Sequence, residues 1–264
     1  MIALVCDRID PVPLGEAVQA LADVVQAAGQ VLGFCLLTEP RDEALHAFIA
    51  RHQPDALVLM PDLAEPQALA AIAHDLRCPC IGGDMLDAES LRVDRLGMFG
   101  LVAWIIGRGH RRVAYIGGPE GSPAARQREL GYLDAMAEYE LDRGPALIED
   151  GDGTFASGVV AARLLFELSP RPSAIVAAND AMAAGALHAA VELGISVPGQ
   201  VSIAGFGNEA SGAATSPPLA SVSLPWNRAL RRTASALLLP DAPSLGKVAL
   251  EPRIIPRGSV ADWG

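Results

Sequence analysis

Apolar positions along this chain follow two alternating rhythms. Ile2–Cys6 is an unbroken apolar run, which predicts a strand buried on both faces. Leu14–Ala28 carries apolar residues at helical spacing and stops at Gly29, a helix-ending signal. Val31–Leu37 then reads as a strand, Glu43–Arg51 as a helix and Ala56–Met60 as a strand. Pro66–Leu76 is a helix opened by proline, and Cys80–Gly82 is a short strand. The rhythm restarts after Asp94. A helix over Gly97–Gly107 precedes a strand at Arg112–Ile116, and a helix at Ala124–Tyr139 precedes a short strand at Ala146–Glu149. Further on come a helix at Phe155–Leu168, a strand at Ala174–Ala178, a helix at Asp180–Leu193 and a strand at Val201–Phe206. The tail reads as strand Ser221–Leu224, helix Asn227–Leu239, and strand-like pieces at Val248–Leu250 and Arg253–Pro256. Strands separated by helices mean parallel sheets covered on both faces. The pattern therefore predicts an α/β protein of two similar lobes, each a parallel sheet with helices on both sides, joined by late crossover strands.

Composition narrows the partners. With 264 residues and 51% hydrophobic positions, the chain has ample material for a core, which excludes disorder, collagen and coiled coil. Its apolar runs fall far short of the roughly 18 residues a membrane span needs, so no membrane partner is expected. No signal segment precedes Ile2, and a cytoplasmic location is expected. Lys+Arg number 20 against 31 Asp+Glu, for a formal charge of −11, and Lys247 is the only lysine. That balance argues against this chain gripping nucleic acid by itself.

Reactive chemistry finds little support. Cys6 and Cys35 lie in apolar strands, and Cys78-Pro79-Cys80 has the wrong spacing for a redox pair or a zinc site. No two histidines fall at i, i+4, so no metal is expected. Gly205-Phe206-Gly207-Asn208-Glu209-Ala210 fits a loose dinucleotide fingerprint, but residues 211–218 are rich in Gly, Ser and Pro and do not read as the helix that motif must open. There is no nucleophile elbow and no ordered triad, so the chain reads as a non-enzyme without a cofactor. What remains are polar residues at the C-terminal ends of strands, where open parallel sheets bind ligands. These include Asp7, Asp84, Asn179 and Asp180, with Arg126-Gln127-Arg128 opening a helix and Trp226 after a late strand. Carboxylates, an amide, a guanidinium and an aromatic face suit a polyhydroxyl ligand. Each also has a plain structural use, Asp180 as a helix cap among them.

Three segments carry a likeness to a known family. They are Gly109-His110-Arg111-Arg112-Val113-Ala114-Tyr115-Ile116-Gly117-Gly118-Pro119, residues 171–183 around Ala178-Asn179-Asp180, and residues 194–206 ending in Ala204-Gly205-Phe206. In this order and spacing they resemble bacterial transcription regulators of the lactose/purine repressor (LacI) type. The resemblance implies a fold of the type I periplasmic-binding-protein kind, with a small-molecule effector, sugar-like, held between lobes. The lobes would be residues 1–92 with 225–250, and residues 93–224 with 251–264. It implies a homodimer that meets DNA only through a separate N-terminal helix-turn-helix, expected to be missing here because Met1 opens the first strand. Position by position, it implies ligand contacts at Asp7, Asp84, Arg128, Asn179, Asn208 and Trp226. One departure stands out: Gly207-Asn208 replaces the usual Asp-Asp or Asp-Asn, so an expected carboxylate is gone. A stand-alone solute receptor serving a transporter is the alternative reading of the same fold.

Overall fold

Strands form where the apolar runs are continuous. β1 (Ile2–Cys6) is buried at every position, and it lies between β2 (Leu32–Leu36) and β3 (Ala56–Leu59), both parallel to it. Helices α1 (Pro11–Ala27), α2 (Arg41–His52) and α3 (Pro66–Asp75) make the connections, and β4 (Cys80–Ile81) completes a four-stranded sheet of order β2-β1-β3-β4. Past the end of α1, Gly29 adopts φ +66°, a conformation glycine enters at no steric cost, and the Gln30 amide bonds back to the Val25 carbonyl. The molecule is seen here as a computed structural model that describes residues 1–7, 11–60, 63, 65–81, 88–224, 230, 231, 234, 235, 238 and 251–264.

The chain divides into unit 1, Met1–Ser90 with Pro225–Leu250, and unit 2, Leu91–Leu224 with Glu251–Gly264. Helix α4 (Ala88–Ile106) contains the first boundary. Unit 2 repeats the topology of unit 1. Its strands are β5 (Val113–Ile116), β6 (Ile148–Glu149), β7 (Ala174–Ala177) and β8 (Ser202–Ala204), in the order β6-β5-β7-β8. They alternate with α5 (Pro123–Glu138), α6 (Phe155–Glu167) and α7 (Asp180–Glu192), and a 3-10 turn at Pro145–Leu147 leads into β6. After one helical turn, α8 (Ala210–Ala213), strand β9 (Ser221–Ser223) pairs antiparallel with β10 (Arg253–Ile255). Each unit has its own apolar core, around Leu4, Leu21 and Leu57 in unit 1 and around Tyr115, Tyr132 and Phe206 in unit 2.

Two readings of the pattern need correction. Helix α4 begins at Ala88 rather than Gly97. Gly97 is a packing position: a Cβ there would press on the Phe206 ring at 3.1 Å and on Pro252 at 3.2 Å. The segment after Gly207 does contain a helical turn, α8, but it is only four residues long, and the amide of the Glu209 that precedes it donates to Asp180 Oδ2 at 2.6 Å. Of the expected helix Asn227–Leu239, Leu230 and Ala234 are helical and buried in the unit 1 core. The rest of it falls largely outside the described residues, as does the expected strand Val248–Leu250.

Candidate functional site

In a sheet of order β6-β5-β7-β8 the connections reverse direction between β5 and β7, and ligands bind past the C-terminal ends of such strands. The residues there are Gly117-Gly118 after β5, Ala178-Asn179-Asp180 after β7 and Gly205-Phe206 after β8. Gly118 is required by crowding, since a Cβ would come within 2.7 Å of the Ala125 methyl on α5. Ser122 caps α5 by accepting from the Ala125 amide at 3.2 Å, which sets the helix that carries Arg128.

Arg128 is fixed from three sides. Its Nε donates to Asp94 Oδ1 at 2.7 Å, its Nη1 donates to the Ala178 carbonyl at 2.8 Å, and its guanidinium lies 4.3 Å from the centre of the Phe206 ring. Asp94 is 1% exposed while Arg128 keeps 20% of its side-chain surface open. Burial pushes the Asp94 carboxyl above the ordinary carboxylate range, and the adjacent Arg128 pulls the other way. Within electrostatic reach of the pair, Tyr115 is fully buried and stacks on Tyr132, their rings 5.0 Å apart; burial raises the Tyr115 phenol.

Asn179 caps α7. Its Oδ1 accepts from the Met182 amide at 2.8 Å and its Nδ2 donates to the Gly153 carbonyl at 2.8 Å. The cap is therefore Asn179, not Asp180, which begins the helix and is fully buried. Asp180 instead ties loops together: it accepts from the Ser221 hydroxyl at 2.7 Å and from the Glu209 amide at 2.6 Å. Burial raises its carboxyl despite those donors. Gly205 and Gly212 make room for it, since a Cβ on Gly205 would sit 2.1 Å from Asp180 Oδ1.

Asn208 has φ +56°, donates its amide to the Ser221 hydroxyl at 2.9 Å, and accepts from Arg257 Nη2 at 2.6 Å. Arg257 also donates to the Leu219 carbonyl at 2.6 Å. Gly207 has φ +120°, a conformation L side chains rarely adopt. The missing carboxylate thus goes with a backbone shaped for glycine.

Arg128, Asn179 and Asn208 therefore share one edge of unit 2. Asp7 lies in unit 1 at the end of β1, half-buried, with Arg41 Nη2 at 3.4 Å from its carboxylate. Asp84 and Trp226 lie outside the described residues. Sequence reasoning missed Asp94, Phe206, Ser221 and Arg257. Neither Asp94 nor Arg257 had a clear signal: Asp94 sits between Arg92 and Arg95 in a charged stretch, and Arg257 lies far along the chain from its partners. Among the described residues no group of His, Cys, Asp or Glu could hold a metal ion, and no helix is long and apolar enough to cross a membrane.

Comparison with known proteins decides the family. The periplasmic binding protein-like domain matches residues 102–260, the part of the chain that includes Arg128, Asn179, Asn208 and Arg257. The chain belongs to this family, as an effector-binding core of LacI-type regulators. The transcriptional regulator AscG of Escherichia coli K12 is 38% identical over 140 residues, covering 53% of this chain and 42% of AscG. The chain thus spans less than half of that relative. The repressor PurR of Pectobacterium carotovorum is 28% identical over 259 residues, covering 94% of this chain and 76% of PurR. A sugar-binding LacI-family regulator from Escherichia coli, solved with phosphate, superposes with a TM-score of 0.81 at 25% identity, covering 99% of this chain and 98% of that one. LacI-family relatives regulate transcription and are not enzymes, in keeping with the non-catalytic reading.

Proposed function

We propose that this LacI-family core senses a sugar or related polar metabolite, with Arg128, Asn179 and Asn208 as ligand contacts in unit 2. The observation that carries the reading is Arg128: a guanidinium held by Asp94, the Ala178 carbonyl and Phe206, yet still partly open, at the sheet edge where such folds bind ligands. The name of the sugar-binding Escherichia coli relative supports the ligand class. Asp7, Asp84 and Trp226 enter the proposal on the family resemblance alone. The same resemblance, with the HTH-type names of AscG and PurR, supports DNA binding through a separate N-terminal helix-turn-helix.

A homodimer is part of the proposal. Helices α6 and α7 expose Phe155, Val160, Leu164 and Val191, and Val160 and Leu164 stand one turn apart on α6.

The test is a thermal-shift screen against sugars, sugar phosphates, polyols and nucleobases. A binder at 100 times its dissociation constant adds about 2.7 kcal/mol, a rise of several degrees. The expected hit is lost in Arg128→Ala and weakened in Asn179→Ala, each compared with its own unliganded melting point. A hit that both variants keep in full would refute the site.

A further inference from the structure

The charges at the unit 2 edge are spent on one another. Asp94 and Asp180 are buried carboxylates, and the guanidiniums of Arg128 and Arg257 lie close enough to act on Asp180 electrostatically, Arg128 also bonding Asp94 directly. Arg257 is further engaged by Asn208 Oδ1 and the Leu219 carbonyl. What this leaves for a ligand is hydrogen-bond donors without net charge behind them: the N–H groups of Arg128 not taken by Asp94 and Ala178, and the NH2 of Asn208, whose oxygen Arg257 holds. A phosphate or carboxylate on Arg128 would lie close to the Asp94 carboxylate, and burying it there would leave a negative charge without a free cation. A hydroxyl oxygen has no such cost and accepts from a guanidinium well.

We infer that Asp94 is a specificity residue: by cancelling the Arg128 charge inside the site, it admits uncharged hydroxyl-bearing ligands and shuts out those carrying a phosphate or carboxylate group. The inference rests on the reading of Arg128 as a ligand contact, and it is separable from it by experiment. Asp94→Asn keeps an oxygen for the Arg128 Nε–H and removes the charge. The probe is inorganic sulfate, doubly charged across the working pH range, titrated calorimetrically. Asp94→Asn is expected to bind sulfate at least about tenfold more tightly than the unmodified chain, through charge-assisted bonds to the released guanidinium. The double variant Asp94→Asn/Arg128→Gln is expected to lose that gain. No gain in a folded Asp94→Asn protein, or a gain that survives the double variant, overturns the assignment.

If Asp94→Asn shows no cooperative melting transition, the unmodified chain answers instead. As pH falls, the raised Asp94 carboxyl takes up its proton before an ordinary carboxylate does. Sulfate affinity is then expected to rise toward low pH, and Arg128→Gln to abolish the rise; a flat profile, or a rise independent of Arg128, refutes the inference. An Arg128-dependent sulfate gain with no Arg128-dependent hit in the metabolite screen would instead sink the effector site while leaving the charge pairing intact.

Discussion

Gly207 shows how one residue joins backbone conformation to ligand chemistry. LacI-type relatives are expected to carry an aspartate here, so restoring it looks like a gain of function. At φ +120° an L residue is strained, and the new side chain would start 3.7 Å from the Glu209 carboxylate oxygen. Gly207→Asp is therefore expected to lower stability by about 1–3 kcal/mol without tightening any ligand, read by chemical denaturation and calorimetry together. At this scale the sequence was legible where a motif fixes position and role together. The positions of Arg128 and Asn179 at the C-terminal edge of the unit 2 sheet were legible because a helix start and a strand end place them there. Asp94, Phe206 and Arg257 were not, because what each does depends on partners distant in the chain. Arg128 lies 34 positions from Asp94, and Arg257 lies 49 from Asn208. Asn179 lies at the end of β7, and both ends of its amide hold structure there, the α7 cap and the Gly153 loop.

Among elements, continuous apolar strands such as β1, β5 and β7 were the most legible, because burial on both faces leaves no alternative pattern. The start of α4 was misread because Gly97 resembles a boundary, when its lack of a side chain serves the Phe206 and Pro252 contacts. Glycines have the same use where α6 crosses α7. A Cβ on Gly185 would lie 2.2 Å from the Phe155 carbonyl, and one on Gly158 would lie 2.2 Å from the Met182 carbonyl. Alanine gains up to about 1 kcal/mol over glycine in a helix interior, which is too little to offset backbone overlap at that distance. Gly185→Ala is accordingly expected to destabilise unit 2 by at least about 2 kcal/mol and to lower the melting temperature. An unchanged or higher melting temperature would show that the two helices can separate at little cost.

For the whole molecule, the segment after β10 acts as a strap along unit 2. Arg257 holds Asn208 at the site edge, the Ser259 hydroxyl donates to the Ile203 carbonyl at 2.5 Å beside β8, and the Trp263 amide reaches the Arg108 carbonyl at 2.6 Å. Near its end His110 is buried, with Nε2 at 3.2 Å from the Ala261 carbonyl, Nδ1 at 2.9 Å from the Ser173 hydroxyl, and the Trp263 ring at 5.3 Å. Burial lowers its pKa below 6.5; Arg108 and Arg111 add to the shift, while the Ala261 bond and Asp262 oppose it. The unfolded chain then takes up a proton near pH 6.5 that the folded chain refuses, so stability falls as pH drops through that value toward the folded pKa. Asp94 and Asp180, whose carboxyls are raised, contribute with the opposite sign, so the useful quantity is a difference. The loss of stability from pH 7 to 5 is expected to be smaller in His110→Gln than in the unmodified chain, measured by urea denaturation at each pH. Equal slopes would refute this account of the strap.

The path of the chain turns that strap into a matter of timing. Residues 225–250 belong to unit 1, yet they separate β9 from β10 and from everything the strap secures in unit 2. A ribosome making this protein therefore finishes β8 and the Asn208 loop long before Arg253, Arg257 and Ser259 exist to close them. Unit 1 also waits, for the stretch that brings Leu230 and Ala234 to its core. Unit 1 waits for residues 225–250 and unit 2 for residues 251–264, so the nascent chain passes through a long interval in which both sheets are formed but neither unit has all of its packing. During that interval apolar surface destined for both cores stays exposed, which is the condition that favours aggregation.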